Sequence, residues 1–321
     1  MSFVDDQIKS LRFEGPEYIP ISIGVLPAAW MKYRDKLDEI ARRHPLLFGQ
    51  PQPRDYDAVG GKYVEGTHVD AWGCVWTNMA TGMDALVTGH PVPTRADVYK
   101  LTPPRKITGD IPHGFMYMRL CDLRGFEEAM IDFAEEPPEL RMLIDIVFQH
   151  NMKEVAERLR KHTGPLIYFG DDLGMQRALP ISPQKWRKYL KPCYKALYDC
   201  CHEKGLYVYM HTDGHIVEIV QDLADCGVNV VNPQIRANGL ENLARVAKGK
   251  VCVDLDLDRQ LFPFCRPEDI DGHVREAVER LGSPAGGLWL KAEIGPDVPL
   301  ETIEALCTAL EKYRAYYRAR A

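Results

Sequence analysis

The segment 206–233, with the sequence LYVYMHTDGHIVEIVQDLADCGVNVVNP, constrains the fold more than any other part of this chain. Residues 206–210 are apolar and β-prone, which is typical of a buried parallel strand. Residues 216–223 carry apolar side chains at helical spacing, Gly227 ends the predicted helix, and 228–231 form the next apolar run. The segment therefore predicts a strand, a sharp turn, a helix and a second parallel strand.

The end of the first strand in this segment carries groups that can do chemistry. His211 and Asp213 follow the apolar residues directly, and Gly214 supplies the turn. Enzymes with α/β folds place their active sites at the carboxyl ends of parallel strands. A histidine and a carboxylate here indicate a metal site or a proton-transfer site, although a lone histidine is more often a structural hydrogen-bonding residue.

Most of the chain repeats the same alternation of strand and helix. From residue 114 onward, each apolar run is followed by an amphipathic segment, and no repeat or low-complexity segment interrupts the pattern. Ser182 and Pro183 have the sequence of a helix start, as an N-cap and a first helical residue. Seven strand candidates and an uncertain eighth predict an α/β fold, a (β/α)8 TIM barrel, rather than an open sheet. The predicted strands are 18–25, 114–120, 165–170, 206–210, 228–231, 251–255 and 287–292, and the predicted helices are 27–43, 126–134, 138–162, 182–204, 216–223, 240–247, 267–281 and 300–320.

The first third of the chain departs from this alternation. Residues 44–64 and 88–109 are rich in Pro, Gly and Asp, which is typical of irregular connections. Between them, 66–76 has the sequence of an aromatic, acid-containing turn that would cap one end of the barrel. We therefore expect one domain over 1–321, with an N-terminal extension and long early loops, in which 1–110 includes an excursion over the barrel.

Composition limits the kinds of partner and compartment. The chain has 321 residues and a net charge of −6, from 40 basic and 46 acidic residues, and it contains no basic block. This balance gives no electrostatic attraction for nucleic acid. The nine cysteines include no CxxC pair, which favours reduced buried thiols. Because there is neither a signal-peptide pattern nor an apolar run long enough for a membrane span, we expect a cytoplasmic protein.

Other predicted strand ends add polar groups to the same face. Asp171 and Asp172 follow one strand, Gln234 and Asp254 lie at the ends of two later strands, and Glu293 follows the last strand. Acids at strand ends also cap the next helix or stay solvated in a loop, and for each acid taken alone this is the simpler explanation. In combination with a histidine, however, carboxylates form a ligand set that suits Zn²⁺ or another borderline divalent ion.

Four segments of the chain are recognisable as a set. They are HVDAWGCVW at 68–76, YFGDDLGMQRALPISPQKWRKYLKPCYKAL at 168–197, YVYMHTDGHI at 207–216 and VNVVNPQ at 228–234. Together they resemble the uroporphyrinogen decarboxylase superfamily, and within it the corrinoid-dependent methyltransferase branch. The resemblance covers most of the chain and implies a (β/α)8 barrel. The decarboxylases carry an arginine-rich N-terminal signature, RQAGR, which this chain lacks, so the resemblance favours a methyltransferase.

The resemblance also implies a metal site. Methyltransferases of this branch place zinc on a His-x-Cys pair and a later cysteine. Here Asp213 stands where the first cysteine is expected after His211, and Glu293 is the candidate near the later position. One histidine with two carboxylates is a harder ligand set than one with thiolates, and it favours an oxygen substrate. We therefore expect zinc on His211, Asp213 and Glu293.

A metal site directed at oxygen implies, in this branch, an O-demethylating methyltransferase. Such an enzyme takes the methyl group of a small methoxylated compound, in the simplest case an aryl methyl ether, and passes it to a corrinoid (cobalamin) on a separate protein. Asp171 or Asp172 would protonate or orient the oxygen. Trp72, Gln234 and Asp254 are the candidates for substrate binding, although core packing explains Trp72 equally well. A homodimer is compatible with the sequence.

Two other functions stay open at this point. One is a uroporphyrinogen decarboxylase-like lyase in which Asp171 or Asp172 binds a pyrrole-like substrate without metal. The other is a binding protein that holds a methylated ligand without turnover. The missing arginine signature weighs against the first, and the ionisable groups at several strand ends weigh against the second.

Overall fold

The structure is a computed structural model that describes residues 3–318. The residues group into two compact units, which we describe separately. Unit 1 contains the described residues up to Gly66, Asn78–Ala85 and the described chain from Gln234 onward, and Unit 2 contains Thr67–Thr77 and Leu86–Pro233. The organisation as a single domain stays a prediction.

Helices and strands alternate along most of the described chain. The strands are Ile21–Val25 (β1), Gly66–Val69 (β2), Val75–Asn78 (β3), Leu86–Gly89 (β4), Leu166–Gly170 (β5), Tyr207–Thr212 (β6), Val228–Pro233 (β7), Cys252–Asp256 (β8) and Leu288–Ile294 (β9). The helices are Phe3–Leu11 (α1), Pro27–Tyr33 (α2), Asp35–Arg43 (α3), Pro45–Phe48 (α4), Tyr117–Arg124 (α5), Phe126–Glu135 (α6), Pro138–Lys161 (α7), Pro183–Tyr189 (α8), Lys191–His202 (α9), Val220–Asp225 (α10), Ile235–Asn238 (α11), Leu240–Ala247 (α12), Pro267–Leu281 (α13) and Leu300–Tyr313 (α14). Short 3-10 helices lie at Gly61–Tyr63 and Arg95–Lys100. Among residues 3–318, no helix has the length and apolar character that a membrane span requires.

The core of Unit 2 contains the parallel strands β5, β6 and β7, in that order. In register, Gly170 lies beside His211, and His211 lies beside Asn232. Side chains of a strand alternate between its two faces. On one face, Phe169 packs against Tyr198 of α9 with the ring centroids 5.0 Å apart. Packing on this helix-covered face therefore fixes where the opposite-facing side chains of the strand ends can lie.

Unit 1 has its own parallel strands, in the order β1, β9 and β8. Leu290 of β9 pairs in register with Ile21 on one side and with Leu255 on the other. The helices α13 and α14 pack on each other and bury apolar residues, among them Val274 and Leu306. Apolar area removed from water, at about 25 cal/mol per Å², is the main stabilising contribution to such a core.

The segment predicted as an aromatic turn contains two strands as well as a turn. β3 pairs antiparallel with β4, and β2 lies on the other side of β3. Asp70 closes the turn between β2 and β3, because its carboxylate accepts the backbone N–H groups of Trp72 and Cys74, each at 2.9 Å. Aspartate commonly bonds its own backbone two residues on in this way. The turn is therefore confirmed, and the strands on either side of it were not predicted.

The predicted α/β class is confirmed, and the described residues contain six parallel strands, three in each unit. A closed eight-stranded barrel stays a prediction.

The strand predicted at 114–120 is wrong, because Tyr117–Arg124 is the helix α5. The carboxylate of Asp171 accepts the backbone N–H groups of Tyr117 and Met118. This contact between distant parts of the sequence starts a helix where the apolar run by itself also fits a strand.

Two helices predicted as continuous are broken. The helix over 182–204 divides into α8 and α9 at Leu190, because Pro192 lacks the N–H that a continuous helix requires. The helix over 27–43 divides at Arg34, whose φ of 48° lies in the left-handed region. The predicted N-cap is confirmed, since the Ser182 hydroxyl accepts the N–H of Lys185 at 3.2 Å.

Candidate metal centre

Asp171 and Asp172 follow β5 and point to opposite faces of the Unit 2 strands, because successive residues of an extended chain alternate. Asp171 contacts Tyr194 of α9 on the helix-covered face. Asp172 contacts His113 on the other face. His113 also covers Gly170, where an added Cβ would lie 2.5 Å from His113 Nδ1. The glycine at the end of β5 therefore gives the imidazole room to approach the strand.

Asp171 is a fully buried helix cap. Its carboxylate accepts the backbone N–H groups of Met116, Tyr117 and Met118 at 2.6 to 3.1 Å and the hydroxyl of Tyr194 at 2.6 Å. Burial raises the pKa of Asp171 above its ordinary value, and the hydrogen bonds from Tyr194, Met118 and Tyr117 oppose the rise. Four donors on one carboxylate hold the start of α5 in place.

Asp172 has the opposite environment, with its side chain 28% exposed. Its Oδ2 lies 3.1 Å from His113 Nε2, and its Oδ1 accepts the backbone N–H of Asp213 at 2.9 Å. Burial raises the pKa of Asp172, but the hydrogen bond and charge of His113, the N–H of Asp213 and the charge of His211 lower it more. The pKa of Asp172 therefore lies below the ordinary value of 3.8, and the side chain is an anion at neutral pH.

His211 is oriented by a hydrogen bond on the far side of its ring. Its Nδ1 lies 2.6 Å from Oδ1 of Asn232, a contact that requires a proton on Nδ1. In a neutral imidazole, Nε2 is then the nitrogen without a proton. This Nε2 lies 3.4 Å from Asp213 Oδ1 and 3.8 Å from Asp172 Oδ1. A lone pair that faces two carboxylates requires a positive charge between them, either a proton or a metal ion.

The ligand atoms of His113, Asp172 and His211 all lie within 4.8 Å of one another. The two imidazole rings are 5.4 Å apart between centroids. Two imidazole nitrogens and a carboxylate oxygen form a donor set that suits Zn²⁺ and leaves an open position for water or a substrate. The contact with Asn232 is the type of outer hydrogen bond that orients metal-binding histidines. These residues, which we call the histidine–aspartate cluster, fit a divalent metal ion.

Two glycines allow the segments that carry the cluster to lie against each other. An added Cβ on Gly174 would lie 2.4 Å from the backbone nitrogen of His215, and one on Gly214 would lie 2.2 Å from the backbone of Gly174. Gly214 also has a φ of +82°, which favours glycine. The N–H of Gly174 donates to the carbonyl of Asp213 at 3.2 Å, and the N–H of His215 donates to the carbonyl of Met175 at 2.7 Å. The loop after β5 is thus held against the turn after β6.

The predicted metal ligands lie in different units. His211 and Asp213 lie together in Unit 2, as the sequence predicts. Glu293 lies in Unit 1 within β9, where its carboxylate forms an ion pair with Arg259. The ligand roles of His211, Asp213 and Glu293 stay predictions.

The predicted substrate-binding residues occupy three different settings. Trp72 packs edge-on against His150 in Unit 2, with ring centroids 4.9 Å apart. In Unit 1, Gln234 forms an isolated bridge to Asp256, and the nearby Asp254 is buried within β8. A role of Trp72, Gln234 and Asp254 in substrate binding stays a prediction.

His113 belongs to the cluster although the strand-end pattern does not single it out. It lies in the loop before α5 and is 59 residues from Asp172 in the chain. The available signal is a His-Gly pair directly before an apolar run. Because that run is also compatible with a strand, the pattern places His113 at the amino end of the strand, away from the face where chemistry is expected.

The chain belongs to the uroporphyrinogen decarboxylase (URO-D) family, because the model of that family matches residues 114–313. The match contains the whole histidine–aspartate cluster except His113, which immediately precedes it. The superfamily that the sequence resembles is therefore confirmed. No curated protein matches the sequence.

Solved structures include a methyltransferase from Methanosarcina mazei that shares the fold of this chain. The two are 18% identical, with a TM-score of 0.66, over 98% of this chain and 99% of that chain. Two others are more distant. The Xanthomonas albilineans dihydropteroate synthase with 4-aminobenzoic acid is 15% identical (TM-score 0.34, 48% of this chain and 58% of that chain), and the IOLI protein with a binding zinc atom is 12% identical (TM-score 0.37, 93% and 98%).

Proposed function

We propose that this protein is a metal-dependent methyltransferase, which takes the methyl group of a small aryl methyl ether and passes it to a corrinoid on a partner protein. One observation carries the proposal. Nε2 of His211 lies 3.4 Å from Asp213 Oδ1 and 3.8 Å from Asp172 Oδ1, beside the imidazole of His113. Membership in the URO-D family and the fold shared with a methyltransferase are consistent with such an enzyme.

The metal-binding residues in this proposal are His113, Asp172 and His211. A divalent ion, zinc by preference, would supply Lewis-acid polarisation of the ether oxygen. Asn232 keeps the Nδ1 proton of His211 in place and so keeps Nε2 available as a ligand. The backbone N–H of Asp213 holds the carboxylate of Asp172 in position, 2.9 Å away. Preorganised ligands of this kind do not need to rearrange when the ion binds.

The chemistry of the ether bond determines what the other residues do. The oxygen keeps the electron pair of the broken C–O bond and takes up a proton, while the reduced corrinoid of the partner protein would supply the two electrons of the new bond to the methyl group. Asp213, with Oδ1 3.4 Å from His211 Nε2, is placed to hold that proton or to orient the oxygen. The sequence predicts this role for Asp171 or Asp172. Because Asp171 accepts four hydrogen bonds and Asp172 is a metal ligand in this proposal, we assign the role to Asp213 instead. A phenoxide is a better leaving group than an alkoxide, which favours an aryl ether.

A metal-free lyase of the decarboxylase type is the second candidate, and the family match favours it. The family model carries the decarboxylase name, and Asp172 is a carboxylate at a strand end that a pyrrole-like substrate could contact. The arginine-rich signature that grips substrate carboxylates in decarboxylases is missing from the N-terminal region. This candidate predicts activity without metal on a polycarboxylate.

The metal content of the purified protein tests the proposal. We expect about one zinc per chain in the wild type, purified without chelator, and its loss in His113→Ala and His211→Ala. Glu293→Ala is the comparison variant, because Glu293 forms an ion pair with Arg259 and is not one of the three ligands in this proposal. Zinc-loaded wild type should demethylate methoxylated aromatics when a reduced corrinoid protein is supplied.

Each alternative result has a clear meaning. A metal-free wild type that decarboxylates a polycarboxylate contradicts the methyltransferase and supports the lyase. Zinc lost from Glu293→Ala but retained in His113→Ala assigns the site to the ligand set expected from the sequence, His211, Asp213 and Glu293.

A further inference from the structure

One face of the Unit 2 strands carries three successive rows of side chains. Because side chains alternate, residues 168, 170 and 172 share this face along β5 and its extension, and residues 209, 211 and 213 share it along β6. The tyrosine row is Tyr168 with Tyr209. In the histidine row, His113 lies over Gly170, which pairs with His211. The carboxylate row is Asp172 with Asp213. The second and third rows contain the histidine–aspartate cluster. The tyrosine row lies next to it.

Register fixes the distance between these rows. Tyr168 pairs with Tyr209, and their rings are 4.8 Å apart between centroids at an angle of 47°. Two residues further along, Gly170 pairs with His211. A parallel strand rises about 3.3 Å per residue, so the tyrosine row lies roughly 6.6 Å from the histidine row. The tyrosine row and the histidine row are therefore adjacent on this face.

Tyr168 is exposed at a position where strand residues are normally buried. It is 55% exposed, whereas Ile167 and Phe169 on either side are 1% and 3% exposed. Strands of parallel sheets are usually buried on both faces. Tyr209 is 7% exposed and packs against Tyr168, so it supports that ring rather than presenting a surface of its own. An exposed aromatic ring beside metal-ligating groups is the composition of a ligand site.

We infer that Tyr168, supported by Tyr209, binds the aromatic ring of the substrate while the oxygen substituent of that ring lies at the histidine–aspartate cluster. The inference rests on the function proposed above and adds the residue that selects an aryl over an alkyl methyl ether. Two aromatic rings attract through their quadrupoles in offset or edge-to-face contact, which a saturated ring cannot reproduce. Tyr168 is thus a specificity-determining residue rather than a catalytic one.

Binding of a matched pair of probes tests this inference. Isothermal titration calorimetry on the zinc-loaded protein compares 4-methoxyphenol with 4-methoxycyclohexanol, which have the same substituents on an aromatic and a saturated ring. We expect Tyr168→Leu to weaken 4-methoxyphenol roughly tenfold, with little change for 4-methoxycyclohexanol. Tyr168→Phe keeps the ring and should retain binding. Tyr99→Leu is the control, because Tyr99 is also exposed in Unit 2 but bonds to Glu139.

Zinc content measured on each variant separates the two proposals. Zinc retained in Tyr168→Leu, with 4-methoxyphenol weakened and 4-methoxycyclohexanol unchanged, supports the inference. Equal loss of both probes, or no preference for 4-methoxyphenol in the wild type, overturns it even if zinc is bound and methyl transfer occurs. If the wild type contains no zinc but binds 4-methoxyphenol, and Tyr168→Leu weakens that binding, the proposed methyltransferase is contradicted. The role of Tyr168 in binding the ring is then still supported.

Discussion

Asp171 and Asp172 are adjacent, chemically identical residues with opposite surroundings. Asp171 is fully buried and accepts four hydrogen bonds, three of them from backbone N–H groups before and at the start of α5. Asp172 is partly exposed and contacts two histidines and one backbone N–H. The difference teaches that the position after a strand does not decide the role of an acid. The donors that the rest of the fold brings to each oxygen decide it.

The physical cause of this difference is the alternation of the extended chain. One residue faces the helices, where loop and helix N–H groups need an acceptor, and a buried acceptor there replaces lost water. The next residue faces the opposite side of the strands, where His113 and His211 lie. A one-residue shift of the register would exchange the two environments.

The largest expected effect is the loss of stability on Asp171→Ala. Removing the carboxylate leaves three backbone N–H groups and the Tyr194 hydroxyl without their acceptor, so we expect the free energy of unfolding to fall by about 3–5 kcal/mol. Tyr194→Phe removes one donor and should cost only about 1 kcal/mol. Denaturant unfolding measures both. Asp199→Ala, which breaks an exposed ion pair with Lys195, is the control and should stay within about 0.5 kcal/mol.

If Asp171→Ala were as stable as the control, the helix-cap interpretation would be wrong. If Asp171→Ala lost its zinc at temperatures where it remains folded, Asp171 would also affect metal binding. The assignment of capping to Asp171 and metal binding to Asp172 would then be wrong.

The next effect is on metal affinity, and it belongs to Asp172. Asp172→Asn keeps the shape of the side chain but removes its charge from the cluster. Loss of a hydrogen-bond partner behind a ligand already costs about tenfold to a hundredfold in metal affinity, so we expect zinc affinity to fall by at least that much. Stability of the metal-free protein should change by less than about 1 kcal/mol. Competition with a chromophoric zinc chelator measures the affinity. Glu293→Gln makes the same change in Unit 1 and should leave the affinity unaltered, and an equal loss there would implicate Glu293 as a ligand.

The smallest expected effect is a pair of opposite pH dependences in the metal-free protein. Burial raises the pKa of Asp171, so the folded state binds the extra proton and its stabilising contribution declines as pH rises above 3.8. The pKa of Asp172 is lowered despite burial, chiefly by His113, so its contribution is present above pH 3.8 and declines as pH falls through the lower folded pKa. Comparing wild type with Asp171→Asn and Asp172→Asn by unfolding between pH 3 and 6 gives both slopes. Slopes of the same sign would contradict the comparison.

Much of the scaffold was predictable from the sequence because it depends on local patterns. The apolar runs that became β5, β6, β7, β8 and β9 are each bounded by turn residues, and Ser182 has the sequence of an N-cap. The same patterns placed His211 and Asp213 at one strand end and Asp172 at another. Register then brings these ends together in Unit 2.

The sequence by itself determined that the protein is an α/β protein with acids and a histidine at its strand ends, because periodicity and turn residues act over a few neighbouring positions. Only the tertiary structure decided which of these groups meet. His113 contacts Asp172, which is 59 residues away in the chain. The carboxylate of Asp171 accepts the first N–H groups of α5. Asn232 contacts Nδ1 of His211 and so selects its tautomer. Each of these is a contact between residues far apart in the chain. Local sequence patterns depend only on neighbouring residues. They therefore do not predict which distant donors and acceptors the folded chain brings into contact.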